Sequence, residues 1–333
     1  MNKHNIFIIY ILLLGLGVVM AKEDLASERL KTFYAKEKVT ILITDSGLGG
    51  LSVAAKLEAN FREHHPFREV KLIFVNALAN ETLFYNRMEN TEEKVRVFNN
   101  ALTGMTKKFA PDLILIACNT LSVIFDQTEF SKTSNVPVVG IVEFGVDLML
   151  DNLRQSEANG TIILGTPTTI EQNTHKAALL AAGIKPETVQ AQACPMLESE
   201  IQNAPGSDMV RMMIEMFAEE SLDKFEERPS ENLYVGLCCT HYNYAAPVFA
   251  EVFAQVSGTP VTILDPNELM SDFIFKDSNS SRFEKTEISV QVVSQAKLTE
   301  NDIESIAGMI QPVSKDFSEG LKKYQWMSDL FQY

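Results

Sequence analysis

Basic residues are scarce in this sequence. Lysine and arginine total 29 against 44 aspartates and glutamates, which gives a formal net charge of -15. Proteins that bind nucleic acid or anionic membrane surfaces need basic patches, so this balance argues against both kinds of partner. Outside the N-terminus the sequence also lacks an apolar run long enough to cross a bilayer. We therefore expect most of the chain to be a globular protein that binds neither.

Cysteine is also rare, with four residues in the chain. Four cysteines in an exported protein could form two disulfides, but Cys238 and Cys239 are adjacent, which suits a stabilising bridge poorly. The sequence lacks the paired Cys-x-x-Cys and His-x-x-x-His spacings of a zinc site, so no metal is expected. The role of a small apolar core residue fits Cys238 and Cys194. Cys118 and Cys239 remain as candidates for function.

The one long apolar stretch lies at the N-terminus. Lys3 and His4 precede an almost wholly apolar run over 6–20, and Val19-Met20-Ala21 has the small residues that a signal peptidase recognises. The run is shorter than the roughly 20 residues that span a bilayer. We predict a signal peptide over 1–21 rather than a membrane anchor, and export to the periplasm with no membrane contact after cleavage.

The rest of the chain alternates strand and helix patterns. Apolar, β-rich runs occur at 38–44, 70–75, 113–117, 136–142, 160–164, 188–193 and 233–237. Helical patterns lie between them over 51–61, 91–109, 172–182 and 208–220. Both halves run from a strand through a turn with hydroxyl and glycine residues to a helix, and then to a cysteine loop. This repeat predicts an α/β fold of two pseudo-symmetric doubly wound domains, with the active site in the cleft between them.

The same pattern predicts the domain boundaries. The first α/β domain is expected over 38–143 and again over 245–312, because the chain should return to the first sheet after Tyr244, and the second domain over 144–244. In the C-terminal part we predict a surface loop over 276–281, a strand over 287–293 and a helix over 299–310. The tail, 313–333, is rich in aromatic residues and is expected to pack on its own chain or on a second copy in a homodimer.

Cys118 and Cys239 have matching surroundings. Each follows an apolar run and opens a polar segment, Cys118-Asn119-Thr120 and Cys239-Thr240-His241. The carboxyl end of a strand is where an open α/β sheet binds its ligands and where a thiolate forms most easily. Two thiols in such matching positions suggest one acid and one base.

The turn Asp45-Ser46-Gly47-Leu48-Gly49-Gly50 has two interpretations when taken alone. A glycine turn before a helix often cradles phosphate, but this one lacks the lysine of a P-loop, and Asp45 would repel an anion. The alternatives are a tight turn with close helix packing and a site for a group that holds a proton.

Together these motifs resemble those of glutamate racemase, within the cofactor-independent aspartate/glutamate racemase superfamily. The resemblance spans roughly 39–265 and rests on the order and spacing of four motifs: the turn at 45–50, Ala117-Cys118-Asn119-Thr120, Gly165-Thr166 with Thr169, and Cys239-Thr240-His241-Tyr242. It implies two α/β domains that hold an acidic amino acid between them, with glutamate as the first expectation. It also implies that no pyridoxal phosphate or other cofactor takes part.

The resemblance further implies a role for individual residues. Cys118 and Cys239 would be the catalytic thiols, assisted by Asp45 and His241 respectively. The residues implied in substrate binding are Ser46, Tyr85, Asn86, Asn119, Thr120, Thr166, Thr169 and Thr240.

The sequence departs from the family's pattern where the substrate side chain should be held. The family's Pro-Tyr-Gly is Phe84-Tyr85-Asn86 here, so aspartate is the alternative substrate. The glutamate that partners the second thiol has two candidates, Glu198 and Glu200. The alternative from another class is a periplasmic solute-binding protein, which also has two α/β domains closing on an amino acid but needs no paired thiols.

Overall fold

A computed structural model of the chain describes residues 28–275 and 281–333. The predicted signal peptide and most of the loop predicted over 276–281 lie outside the described residues. The strands are β1 (Lys38–Asp45), β2 (Glu69–Asn76), β3 (Leu113–Ile116), β4 (Val138–Gly140), β5 (Gly160–Gly165), β6 (Val189–Ala193), β7 (Leu233–Cys238), β8 (Val261–Leu264), β9 (Glu287–Ser294) and β10 (Gln325–Trp326).

A first helix, α1, covers 28–35. The other α-helices are α2 (Leu51–Glu63), α3 (Thr91–Phe109), α4 (Asn119–Phe125), α5 (Glu129–Thr133), α6 (Val142–Leu153), α7 (Pro167–Glu171), α8 (Thr174–Ala181), α9 (Leu197–Asn203), α10 (Asp208–Leu222), α11 (Ala246–Val256), α12 (Pro266–Asp272), α13 (Glu300–Ile310) and α14 (Lys315–Lys322). Short 3₁₀ helices lie at Tyr85–Arg87, Pro186–Thr188, Thr240–Ala245 and Phe273–Phe275.

The strands form two parallel sheets. The first has six strands in the order β10-β9-β2-β1-β3-β4, and the second has four in the order β6-β5-β7-β8. Every strand pair in both sheets is parallel. The order β2-β1-β3-β4 in the first sheet matches β6-β5-β7-β8 in the second, so the predicted repeat of two α/β units is confirmed.

Both faces of the first sheet are covered by helices. Along β1, Leu42 packs on one face in a cluster with Val97 of α3, whereas Ile41 and Ile43 pack on the other face in a cluster with Leu51 of α2. Alternate side chains of a strand point to opposite faces, so a strand buried on both sides needs the continuous apolar run seen in the sequence. The doubly wound arrangement is confirmed.

Two local predictions need correction. The strand predicted over 136–142 is limited to β4, because α6 begins at Val142. The helix predicted over 172–182 corresponds to α8, and the turn predicted before it contains a further short helix, α7. Asn173 lies between the two helices with a φ of 54°, in the left-handed region, which interrupts the helical hydrogen-bond ladder and keeps them separate.

The chain returns to the first sheet later than the sequence predicts. After Tyr244 it forms α11 and then β8, which pairs with β7 in the second sheet. From α12 onward it packs on the first unit, where the amide of Asn60 in α2 donates to the carbonyl of Ser271 at 3.2 Å. The expected return at residue 245 is therefore wrong, because a helix and an edge strand still complete the second sheet.

The C-terminal tail packs on its own chain. Strand β10 pairs with β9, and the indole Nε1 of Trp326 donates to the carbonyl of Gln295 at 2.8 Å. Phe331 is buried, and its backbone N–H donates to Gln295 Oε1 at 2.8 Å. A homodimer stays a prediction. No helix in the described ranges is long and apolar enough to span a bilayer.

Candidate active site

A cavity of about 250 Å³ lies between the carboxyl ends of the two sheets. It is lined by residues at the carboxyl ends of β1, β3, β5 and β7, which are interior strands of the two sheets. The predicted site residues that line it are Asp45, Ser46, Tyr85, Asn86, Cys118, Asn119, Thr120, Thr166, Cys239, Thr240 and His241. The tertiary structure thus brings together side chains that are far apart in the sequence.

The glycine turn after β1 lets the second cysteine loop approach closely. A Cβ atom added at Gly49 would lie 2.5 Å from Thr240 Oγ1 and 2.6 Å from His241 Nδ1. These separations are too short for any side chain, so a residue other than glycine would push the two units apart. The turn is therefore a packing element and also part of the cavity wall.

Cys118 precedes α4 at the end of β3. Its Sγ lies 3.1 Å from Ser46 Oγ, which stands in the loop after β1. Burial raises the pKa of the Cys118 thiol to about 12, and the negative charge of Asp45 adds to the effect. The hydrogen bond with Ser46 acts in the opposite direction. The thiol is therefore protonated at neutral pH in this structure.

Cys239 occupies the equivalent position after β7 in the second sheet. Burial raises its pKa well above the ordinary value, and the carboxylate of Glu198 contributes next. A backbone hydrogen bond from His241 partly offsets this. Both thiols are thus neutral and buried, and a thiolate at either position needs a positive charge or a base beside it.

Asp45 connects the two units. Its Oδ1 accepts the backbone N–H of Gly47 at 3.0 Å, and its Oδ2 accepts the hydroxyl of Thr240 at 2.8 Å. The charge of Asp45 raises the pKa values of both Cys118 and Cys239, so the carboxylate lies within electrostatic reach of both thiols. It is the one predicted assisting group that acts on both.

A second cross-connection involves three threonines. Thr120 Oγ1 lies 2.7 Å from Thr166 Oγ1, which lies 3.0 Å from Thr169 Oγ1. Thr169 does not line the cavity, because it sits one turn inside α7 and bonds to the residue that caps that helix. Thr169 is therefore not in position for the expected substrate contact; instead its hydroxyl forms a hydrogen bond with Thr166, which does line the cavity.

Asn119 has the features of a ligand-binding side chain. It is 1% exposed and lines the cavity. Neither its Oδ1 nor its Nδ2 has a hydrogen-bond partner among the residues that the structure describes. Buried amides are rarely left unpaired because desolvation without a partner costs about 1 to 3 kcal/mol. A bound molecule with both a donor and an acceptor would satisfy it.

The segment that replaces the family's Pro-Tyr-Gly also lines the cavity. The hydroxyl of Tyr85 donates to the carbonyl of Ala77 at 3.2 Å, and Asn86 Oδ1 accepts the backbone N–H of Thr168 at 3.4 Å. These two polar atoms therefore already have hydrogen-bond partners within the protein. Other groups of the cavity would have to bind the side-chain carboxylate of an acidic amino acid.

Two cations that the sequence motifs did not single out line the same cavity. The Arg87 guanidinium lies 5.0 Å from the centre of the Phe84 ring, and its Nη2 lies 3.5 Å from Met196 Sδ. The ammonium of Lys297 lies 4.6 Å from the centre of the Trp326 ring. Arg87 directly follows Phe84-Tyr85-Asn86, the segment that replaces the family's Pro-Tyr-Gly. A basic residue at that position was the sequence feature from which a cation in the cavity could have been predicted.

The structure also separates the two glutamate candidates. Glu198 lines the cavity, whereas Glu200 does not. Glu198 Oε2 lacks a hydrogen-bond partner within the described part of the chain, and burial raises the pKa of its carboxyl group. The charge of Glu198 also raises the pKa of Cys239, so of the two candidates Glu198 is the one within electrostatic reach of the second thiol.

His241 is buried between the two units. Its Nε2 lies 3.0 Å from Gln202 Oε1 in α9. Burial lowers the pKa of the imidazole, and the charges of Asp45 and Asp302 act against this. Asp302 belongs to a C-terminal wall of the cavity that the sequence motifs did not reveal, formed by Lys297, Leu298, Thr299 and Asp302.

Known proteins match both the sequence and the fold. The chain is 25% identical over 235 residues to glutamate racemase from Chlorobaculum tepidum, covering 69% of this chain and 76% of that protein. It is 27% identical over 244 residues to glutamate racemase from Aquifex pyrophilus, covering 72% and 85%. The crystal structure of glutamate racemase from Francisella tularensis in complex with D-glutamate matches with a TM-score of 0.61 and 20% identity, covering 82% of this chain and 94% of that one.

The profile of a protein family spans most of the chain. Residues 42–269 match the family described as Asp/Glu/Hydantoin racemase. This range includes both cysteine loops, the glycine turn, the carboxyl-terminal half of β1 and all of β3, β5 and β7. The chain belongs to the Asp/Glu/Hydantoin racemase family.

Proposed function

We propose that this protein racemises an acidic amino acid, with glutamate as its substrate, by proton transfer to and from the thiols of Cys118 and Cys239 and without a cofactor. The observation that carries the proposal is the position of the two thiols. Each follows an interior strand of its own sheet, β3 or β7, and both line one cavity.

Family membership supports the general activity of an amino-acid racemase, which is an isomerase. The substrate comes from the relatives, which are named glutamate racemase, and from the Francisella tularensis structure, which holds D-glutamate. Aspartate is the alternative because the clamp segment Phe84-Tyr85-Asn86 differs from the family's Pro-Tyr-Gly.

The chemistry follows from two thiols on opposite faces of the bound α-carbon. A thiolate on one face takes the α-proton and becomes a thiol, and the carbanion then takes a proton from the thiol on the other face, which becomes the thiolate. The reverse reaction exchanges these roles. Since the proton leaves from one face and arrives on the other, each cycle inverts the stereocentre.

The polar groups around the thiols supply the charge balance. The α-ammonium group of the substrate brings a positive charge among Asp45 and Glu198, which lowers the cost of forming a thiolate in this buried site. The unpaired amide of Asn119 donates to the α-carboxylate, where charge accumulates as the carbanion forms. One thiol is deprotonated and the other stays protonated in each direction of the reaction: Asp45 accepts the proton of Cys118 when Cys118 is the base, and Glu198 accepts that of Cys239 when Cys239 is the base.

A solute-binding protein is the competing function of another class, and one experiment separates the two. The protein is incubated with L-glutamate in deuterated water with reductant, and the α-proton and the D-enantiomer are followed by NMR and chiral chromatography. A racemase exchanges the α-proton for deuterium and produces D-glutamate. A binding protein leaves the α-proton in place, and that result would reject the proposal.

The control for this experiment is Cys238→Ala. Cys238 precedes the second thiol but packs in the apolar core, so its replacement should leave the exchange intact. Parallel incubations with aspartate, glutamine and asparagine test the substrate. If the α-proton of aspartate exchanges faster than that of glutamate, the substrate is aspartate rather than glutamate.

A further inference from the structure

Three side chains form a continuous hydrogen-bonded chain from His241 to the C-terminal wall of the cavity. His241 Nε2 lies 3.0 Å from Gln202 Oε1, and Gln202 Nε2 donates to Asp302 Oδ1 at 2.6 Å. Gln202 belongs to α9, beside the second sheet, and Asp302 to the first turn of α13. The imidazole is thereby connected to a carboxylate that it does not touch.

The position of the proton on His241 follows from this chain. Both oxygens of Asp302 accept hydrogen bonds, since Oδ2 accepts the hydroxyl of Thr299 at 2.6 Å. A carboxylate has no proton to donate, so Gln202 must turn its NH₂ group toward Asp302 and its carbonyl oxygen toward His241. That oxygen can only accept, which requires the proton of the neutral imidazole to be on Nε2.

The backbone around the chain holds Gln202 in place. The hydroxyl of Ser305 donates to the carbonyl of Gln202 at 2.6 Å. Asn301, next to Asp302, donates to Asn203 Oδ1 at 3.1 Å across the same contact between α9 and α13. Asp302 lies beyond the range 42–269 that matches the family, so the family's motifs give no indication of this arrangement.

We propose that Gln202 and Asp302 are positioning residues that hold His241 as its Nε2-protonated tautomer beside the second thiol. In this tautomer Nδ1 carries the ring's lone pair, so the neutral side chain can accept a proton in the site but has none to give from Nδ1. The consequence for catalysis rests on the proposed function, whereas the tautomer itself does not.

The tautomer is measured directly by NMR of protein with ¹⁵N-labelled histidine. The chain has five histidines, and His241→Asn identifies the signal of His241 by its loss. We expect one tautomer, protonated at Nε2, at pH 8. A mixture of tautomers or protonation at Nδ1 would overturn the proposal.

Variants then separate positioning from simple packing. Gln202→Met keeps the length of the side chain but removes its donor and acceptor, so we expect His241 to exchange between its two tautomers. The matched control is Asn301→Ala, which removes a hydrogen bond at the same helix contact and should leave the tautomer unchanged. If Gln202→Met keeps the single Nε2-protonated form, the proposal fails.

A carboxylate exchange tests the electrostatic side of the chain. The double variant Gln202→Glu with Asp302→Asn places the negative charge directly on His241 Nε2. We expect the pKa of His241 to rise in an NMR titration, because an opposite charge in contact favours the imidazolium. Among the residues that the structure describes, the charges that act on the imidazole are those of Asp45, at the end of β1, and Asp302, on α13. An unchanged pKa would contradict the proposed contact.

Activity provides the last measurement. Gln202→Met is expected to lower kcat about tenfold with little change in KM, the effect of one lost hydrogen bond of about average strength. If no racemisation is found in any form of the protein but the tautomer is as stated, the proposed function fails and this inference stands. If the unmodified protein is fully active but His241 is a mixture of tautomers, the proposed function stands and this inference fails.

Discussion

The hydroxyl of Thr240 donates a hydrogen bond of 2.8 Å to Asp45 Oδ2, joining residues 195 positions apart. Thr240 follows the second thiol, and Asp45 ends the central strand β1 of the other sheet. The contact between Thr120, two residues after the first thiol, and Thr166, which directly follows the equivalent strand β5, is its counterpart at 2.7 Å. The two units are therefore held together by matching bonds on either side of the thiols, which fixes the thiols relative to one another.

Replacing either thiol should stop inversion. Cys118→Ser and Cys239→Ser are each expected to reduce racemisation at least about 10²-fold, because a hydroxyl is a far weaker acid and base than a thiol at neutral pH. Circular dichroism checks that the fold persists, and chiral chromatography measures the product. Either variant racemising at nearly the normal rate would exclude the two-thiol mechanism.

Asp45→Asn should affect turnover more than binding. We expect kcat to fall roughly 10²-fold with a small change in KM, since asparagine keeps hydrogen-bonding capacity but cannot take a proton. The change also removes a charge that raises the pKa of Cys118, so alkylation of this thiol should begin at lower pH. A variant that alters KM alone would make Asp45 a binding group.

Arg87 is expected to favour substrates with a distal carboxylate. Arg87→Met should raise KM for glutamate about tenfold, because a guanidinium forms charge-assisted hydrogen bonds with a carboxylate. The KM for glutamine should change less, which makes the ratio of the two substrates the measurement. The same two KM values measured for Lys297→Met show whether Lys297, the other cation that lines the cavity, has a similar effect. Equal losses for glutamate and glutamine would show that Arg87 does not contact the distal group.

The stability of the protein should depend on His175 at mildly acidic pH. Burial lowers the pKa of His175 to about 4, from 6.5. Between these values the unfolded chain binds a proton that the folded chain does not, so stability is lost as the pH falls from 6.5 to 4. The full effect is about 3 kcal/mol. Urea unfolding of His175→Phe should show a shallower loss than the unmodified protein over this range, and parallel curves would contradict the expectation.

The predicted export signal has a simple test. Cleavage after Ala21 would give a mature chain that begins at Lys22. N-terminal sequencing of protein recovered from the periplasmic fraction measures this directly. A variant with Leu13→Arg, which interrupts the apolar run, should remain uncleaved. Protein that retains residues 1–21 in the exported fraction would contradict cleavage at this site.

Local sequence patterns determined most of the secondary structure and the positions of the thiols. Helix α3 has the predicted bounds because Asn90 caps its first turn and the chain leaves the helix at Ala110, just before Pro111. Cys118 and Cys239 follow apolar runs that form interior strands, so the order of residue types was enough to predict their positions at the carboxyl edges of the sheets. These features depend on neighbours a few positions away, which a sequence displays directly.

Only the tertiary structure decided which distant side chains meet. It selected Glu198 over Glu200, kept β8 in the second sheet, moved Thr169 out of the cavity wall and brought Asp302 to Gln202. Each outcome depends on how one sheet, with its helices, packs against the other. Successive side chains of a helix point in directions 100° apart, so a small difference in how a helix packs decides which of its side chains reach the contact. A local sequence pattern does not specify that packing.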